Sequence, residues 1–322
     1  MKVNPQIVSA KFKVFLLNGR DAFLYALKRS TIPAKFHFSE RNVIILKKTA
    51  MILLLLLLAA SCAESLPVYE SGLPPILVQG AMNVETDRLI SALDDPKPYT
   101  IGHWNYTAGT IDGYPVVVSV MRCGTVNATA ATVLAIETFK PCAVIQQGTA
   151  GAHDPDLRRG DIVIASDCFN VGAWKSSPSS EDEGVDYRAI NLLSVNFYDE
   201  YDSVSQDTAF LPSDKKLTDL ALSLREKHKG GKVVSGRIAT SNTWENRIDR
   251  VKFLHEKFGS SCEEMECFAA ASICRIYGVP FLGVRIISNS VLTGENFIPE
   301  TGRDCQDFVI EILRYYIKEM KK

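Results

Sequence analysis

Once its first 63 residues are set aside, this 322-residue chain has no surplus of positive charge. Residues 1–63 carry ten Lys or Arg against two acids, which leaves 26 basic and 35 acidic residues in 64–322. Nucleic-acid affinity rests on neutralising phosphates with Lys and Arg, so the composition points away from a polynucleotide partner. Histidine is scarce, five in all, and no cysteine pair has metal-ligand spacing with histidines nearby, which argues against a structural or catalytic metal site. The strongly apolar run Met51–Ala60 is shorter than the roughly 20 residues of a membrane span. No internal repeat is visible.

What is present starts with that run. It follows Lys47-Lys48 and precedes Ser61-Cys62-Ala63, so it has the basic flank, apolar centre and small residues of a secretory signal peptide cut after Ala63. Fifty residues precede it, an unusual length, and initiation near Met51 or an uncleaved anchor are the alternatives. The expected organisation is a leader at 1–63 and one domain at 64–322, in a secreted or vacuolar protein. Seven cysteines follow Ala63, an odd number, so at least one thiol is free or pairs between chains. Asn105-Tyr106-Thr107 and Asn127-Ala128-Thr129 are glycosylation sequons if the chain is exported.

Strand and helix patterns alternate along the domain. Ile76-Leu77-Val78 is strand-like, AMNVETDRLISAL (81–93) has helical spacing, and Tyr106–Ile111 and Pro115–Met121 form a hairpin about Asp112-Gly113. A helix at 127–139, a buried strand at 143–145, a glycine-rich turn QQGTAGA and a terminal helix at 306–320 follow. This order predicts a single three-layer α/β domain with helices on both faces of a central mixed sheet. Ser176–Asp186 is polar and acidic and reads as a mobile surface loop.

The segment 263–289, EEMECFAAASICRIYGVPFLGVRIISN, is the most informative. Paired acids open a small-residue helix, Gly278-Val279-Pro280 stops it, and an apolar strand delivers Ser288 and Asn289 at its carboxyl end. Ligands of open α/β sheets bind beyond such ends, which makes Asn289 a site candidate and Glu266 a clamp for hydroxyl groups. GTAGAHDPDLRRGDIVIASD (148–167) begins straight after a strand. Its small residues can converge backbone N–H groups on an anion or a sugar hydroxyl. It lacks the Lys-Ser/Thr of a P-loop and the three-glycine spacing of a dinucleotide site.

GAMNVE (80–85), GTAGAHDPDLRRGDIVIASD (148–167) and EMECFAAASICRIYGVPFLGVRIISN (264–289) occur in the order seen in the nucleoside phosphorylase and nucleosidase superfamily. Over nearly all of 74–322 the chain resembles methylthioadenosine/S-adenosylhomocysteine nucleosidases, and within them the secreted plant branch that includes bark and vegetative storage proteins. The resemblance implies cleavage of the bond between ribose C1′ and a purine-type base, by water or phosphate, through an oxocarbenium-like sugar. It places Met265 and Glu266 on the ribose, Glu85 as the water-activating base, and Thr149 near the reacting carbon. It also places Trp244 and Asn289 at the base. No cofactor is implied. The expected partners are a small-molecule nucleoside and phosphate, and by analogy a second copy of the chain in a homo-oligomer.

Two departures bear on the chemistry. The nucleosidases carry an aspartate where this chain has Asn289, and an amide can donate a hydrogen bond but not a proton. General-acid assistance of about 10²–10⁴-fold is at stake. Hexameric phosphorylases place an arginine before the glycine-rich turn, where this chain has Gln146-Gln147; Arg122 and the backbone at Gly148 are the nearest phosphate-binding substitutes. Two readings stay open: an enzyme acting on adenosine-type nucleosides or cytokinin ribosides, and a storage protein with the same fold and little catalysis.

Overall fold

The computed structural model describes residues 72–184, 186, 188, 190–193 and 209–322, all within the compact unit Leu66–Lys322. The leader expected at 1–63 lies outside the described residues.

Strands β1 (Ile76–Gly80), β4 (Tyr114–Val120), β5 (Ala143–Ala152) and β12 (Phe281–Asn289) run parallel at the centre in the order β12-β5-β1-β4. β3 (Trp104–Ile111) and β2 (Asp94–Ile101) extend the β4 edge in antiparallel fashion. On the other side β6 (Ile162–Asn170) pairs antiparallel with β12 and with the short β9 (Phe210–Pro212), followed by β10 (Val233–Thr240) and β11 (Ser260–Glu264). β11 then pairs with the far end of β5, so β5, β12, β6, β10 and β11 close on themselves and leave no free edge there.

Successive residues of the central strands point to opposite faces, and both faces are covered. Ile76, Val78, Val116, Ile145 and Val284 enter one core with α1 (Asp87–Ser91), α3 (Lys215–Ser223) and α6 (Thr301–Met320). Leu77, Val117, Val144 and Phe281 enter a second core with α2 (Thr125–Phe139) and α5 (Cys267–Tyr277). Burial on both faces explains why these strands read as continuous apolar runs. The expected three-layer mixed fold is therefore present, with α4 (Ile248–Phe258) packed on a smaller cluster around Phe169.

Local chemistry fixes several boundaries. Asp112 and Gly113 both have positive φ, 49° and 71°, the two-residue turn that matches the twist of a hairpin. Asp214 caps α3 by accepting from Leu217 N at 3.0 Å, and Gly278, at φ 67°, ends α5. Ser176–Asp186 is the tip of a small hairpin, β7 (Trp174–Ser176) with β8 (Ile190–Leu192), and its described residues beyond β7 are exposed.

Four expectations change. QQGTAGA is not a turn but the second half of β5, held extended by pairing with β12 on one side and β11 at its end. The paired acids Glu263 and Glu264 end strand β11 instead of opening a helix; α5 starts after Glu266. Residues 81–93 form no single helix but a 3₁₀ turn, Asn83–Glu85, followed by α1. The terminal helix begins at Thr301, a turn earlier than expected.

Candidate active site

The carboxyl ends of β1, β4, β5 and β12 open into a cleft of about 840 Å³, the open solvent at its mouth included. Its first wall is built by the 3₁₀ turn after β1, which folds Glu85 back onto its own approach. Glu85 Oε2 accepts from Ala81 N at 2.9 Å and Met82 N at 3.1 Å; Oε1 accepts from Thr149 N at 2.8 Å and Thr149 Oγ1 at 2.9 Å. The backbone of β5 must come close for this. A Cβ at Gly148 would lie 2.8 Å from Glu85 Oε1, so the glycine is what lets the carboxylate rest on the strand.

The second wall is the turn from β11 into α5. Glu264, buried, accepts from Glu266 N at 2.9 Å and Cys267 N at 2.8 Å, and pairs with the fully buried Arg285 of β12. Arg285 also donates to the Gln146 side chain and, at 2.8 Å, to Val284 O. Burial alone would depress its pKa, but Glu264 outweighs that and the guanidinium is held charged. This pair fixes the turn that points Met265 and Glu266 into the cleft. Glu266 Oε1 accepts from Gly124 N at 2.7 Å. Burial pushes its carboxyl up to about 8 and the charge of Glu264 adds to the effect, while Arg285 and the Gly124 N–H pull the other way.

The far wall combines β5, β11 and β12. Asn289 and Glu263 are both register partners of Gly151, one on each side of it, so a row Asn289–Gly151–Glu263 crosses the floor with no side chain at its centre. Ser288 Oγ lies 2.9 Å from Asn289 Oδ1. Glu263 is fixed by Ser241 Oγ at 2.5 Å and by His153 Nε2 at 3.0 Å; the buried His153 ring rests its other nitrogen on Ser260 Oγ at 2.9 Å. Trp244, 57% exposed, stands at the mouth, edge-on to Phe297 with ring centroids 5.2 Å apart. Beside it Glu245 is held ionised: burial opposes the charge, and Arg247 and Arg250 overcome it.

Six residues singled out in the sequence, Glu85, Thr149, Trp244, Met265, Glu266 and Asn289, thus line one cleft. Two do not. Gly148 lies beneath Glu85, where its lack of a side chain is spent on that contact. Arg122 is exposed, in the left-handed region at φ 68°, outside the lining next to Cys123, and among the described residues no lysine or arginine lines the cleft. Sequence reasoning missed His153, Glu263, Glu245, Phe297 and Arg285. Only Glu263 had a signal, its place in the acid pair, and the spacing suggested a helix. All seven described cysteines are free thiols, with Cys168 and Cys267 Sγ 3.1 Å apart in the core.

This arrangement can be set against known proteins. The methylthioadenosine/S-adenosylhomocysteine nucleosidase of Bacillus velezensis is 28% identical over 245 residues, covering 74% of this chain and 98% of that enzyme. The enzyme of the same name from a Geobacillus species is 29% identical over 244 residues, covering 74% and 97%. The fold of this chain matches the Neisseria meningitidis enzyme, solved with methylthio-immucillin-A, at a TM-score of 0.61 and 24% identity, covering 76% of this chain and 100% of that one. The phosphorylase superfamily model matches residues 75–318, every strand and helix that builds the cleft, and the chain belongs to that superfamily.

Proposed function

We propose that this protein cleaves the N-glycosidic bond of purine-type nucleosides, with water as the nucleophile. The observation that carries the reading is the convergence on one cleft of Glu85, from the turn after β1, with Glu266 and Asn289, from the start of α5 and the end of β12. The reaction named for its relatives supports it. Water is favoured over phosphate because the cleft presents the carboxylates of Glu85 and Glu263 and, among the described residues, is lined by no lysine or arginine. A phosphate dianion would meet like charge, whereas a cationic sugar would meet opposite charge.

A carboxylate has about four lone-pair directions, and four donors occupy Glu85. Three are backbone N–H groups that cannot move; the Thr149 hydroxyl can rotate away. Water then takes its place at Oε1, gives its proton to Glu85 and bonds to C1′ as the C1′–N bond breaks. Glu266 meets the ribose hydroxyls. Positive charge developing on the sugar favours its ionised form, so its contribution grows toward the transition state. Trp244 covers the base. Asn289 stabilises the departing base by a hydrogen bond, and the base takes its proton from solvent.

Adenosine-type nucleosides and cytokinin ribosides are the substrates that the family resemblance suggests, and export by the N-terminal leader is the localisation that fits its sequence. The test is chromatography of free base released from adenosine, inosine, guanosine, methylthioadenosine and a cytokinin riboside, with and without phosphate. Release independent of phosphate and lost in Glu85→Gln is expected. A strict phosphate requirement overturns water as nucleophile, and no release from any nucleoside leaves the storage reading in its place.

A further inference from the structure

Behind the cleft, one arginine ties together two segments that build its far wall and mouth. Arg159 lies in the turn from β5 to β6, half-buried and outside the lining. Its Nε donates to Ser288 O at 3.3 Å and its Nη2 to Asn296 O at 2.7 Å. Those are the peptide carbonyls immediately before Asn289 and Phe297, and both of these residues line the cleft. Asn289 is the last residue of β12. Phe297 belongs to the loop 290–299, whose backbone ties are the bridge between Ser290 and Glu295 and a bond from Ile298 N to Ser288 O at 3.2 Å. Neither tie involves Asn296 or Phe297, whereas the guanidinium does. Its donors diverge in one rigid plane, so holding the first carbonyl sets the distance to the second.

The turn itself does not depend on that side chain. Gly160 N donates to Ile287 O at 2.9 Å, Ile287 N donates to Asp161 O at 2.8 Å, and Arg159 N lies 3.4 Å from each oxygen of Glu295. These backbone bonds dock the turn on β12 whatever residue stands at 159. The side chain adds the two carbonyl contacts, which bear on the cleft and not on the fold. We propose that Arg159 is a positioning residue for nucleoside cleavage: it sets Asn289 against the departing base and Phe297 against Trp244 without touching the substrate. The proposal rests on the nucleoside-cleaving reading of this cleft.

Arg159→Ala is expected to lower kcat/KM for the best-cleaved nucleoside about tenfold, by a fall in kcat together with a rise in KM, while the thermal unfolding midpoint stays near that of the wild type. Arg159→Lys, whose single ammonium reaches one carbonyl at a time, is expected to lie between. In an Asn289→Ala/Phe297→Ala background the same Arg159→Ala change is expected to cost roughly twofold at most, because a residue that acts through others is not additive with them. A full loss in that background, or wild-type kinetics in Arg159→Ala, overturns the proposal. A second readout needs no catalysis. With Trp104 and Trp174 replaced by phenylalanine, Trp244 is the sole tryptophan, and its quenching by acrylamide is expected to rise in Arg159→Ala to the level of Phe297→Ala. Unchanged quenching overturns the proposal. A wild-type protein that cleaves no nucleoside, with the rise in quenching present, overturns the reading of the cleft and leaves the arginine's hold on the loop standing.

Discussion

Replacing Glu266 with glutamine should change how stability depends on pH, because the carboxyl is a much weaker acid in the folded chain than in the unfolded one. Its pKa rises from 4.5 to about 8 through burial and the neighbouring Glu264 charge. The folded state thus holds this proton more tightly, and the corresponding stability is fully present below pH 4.5 and lost as pH rises to about 8. At about 1.4 kcal/mol per tenfold change in proton affinity, the limit is about 5 kcal/mol. Asp87 and Glu245 do not obscure this window. Burial opposes their ionisation, but Arg303 and Gln306 at Asp87 and Arg247 at Glu245 lower both, so their contributions are lost only as pH falls below the usual carboxylate range. Urea unfolding between pH 5 and 8.5 should show the wild type losing midpoint with rising pH. Glu266→Gln, neutral throughout, should have a flatter profile and be the more stable protein at pH 8.5, with nucleoside cleavage reduced at every pH. Parallel profiles would refute the placement of Glu266 in a dry, acid-flanked site.

Gly148→Ala should displace the Glu85 carboxylate, with about 1–3 kcal/mol of destabilisation by thermal unfolding and loss of cleavage; full activity would show that the 2.8 Å approach is not needed. Arg285→Met leaves Glu264 buried without its partner, and chemical denaturation should register a loss of about 3–5 kcal/mol. Trp244→Ala should raise KM by roughly 5-fold or more while kcat changes less, since an exposed stacking side chain holds the base and does no chemistry. A fall in kcat at constant KM would assign Trp244 another role.

Much of this fold was legible because local signals agreed with the final structure. The Asp112-Gly113 turn, the αL stop at Gly278 and the largely apolar strands at 143–145 and 281–287 needed no distant partner to be recognised. What was hidden depends on pairing across the chain. Gly148–Ala152 has the composition of a turn and is a strand because β12 and β11 flank it. Glu263 and Glu264 have the look of a helix start, and only their pairing with β10 and β5 makes them strand. Within the site, the three motif segments carried Glu85, Thr149, and Glu266 with Asn289. The groups that hold them did not announce themselves: His153 reaches Glu263 across 110 positions, and Arg285 sat unnoticed in a strand that is otherwise apolar. The same distance explains Arg122. Its position near the motifs was clear, but its exposure outside the cleft lining was not.

The most direct test of nucleoside cleavage by water is mass spectrometry of the sugar product formed from inosine in phosphate buffer. The structure predicts free ribose from the wild-type protein and none from Glu85→Gln. Ribose 1-phosphate, or intact nucleoside after prolonged incubation with the wild-type protein, would contradict it.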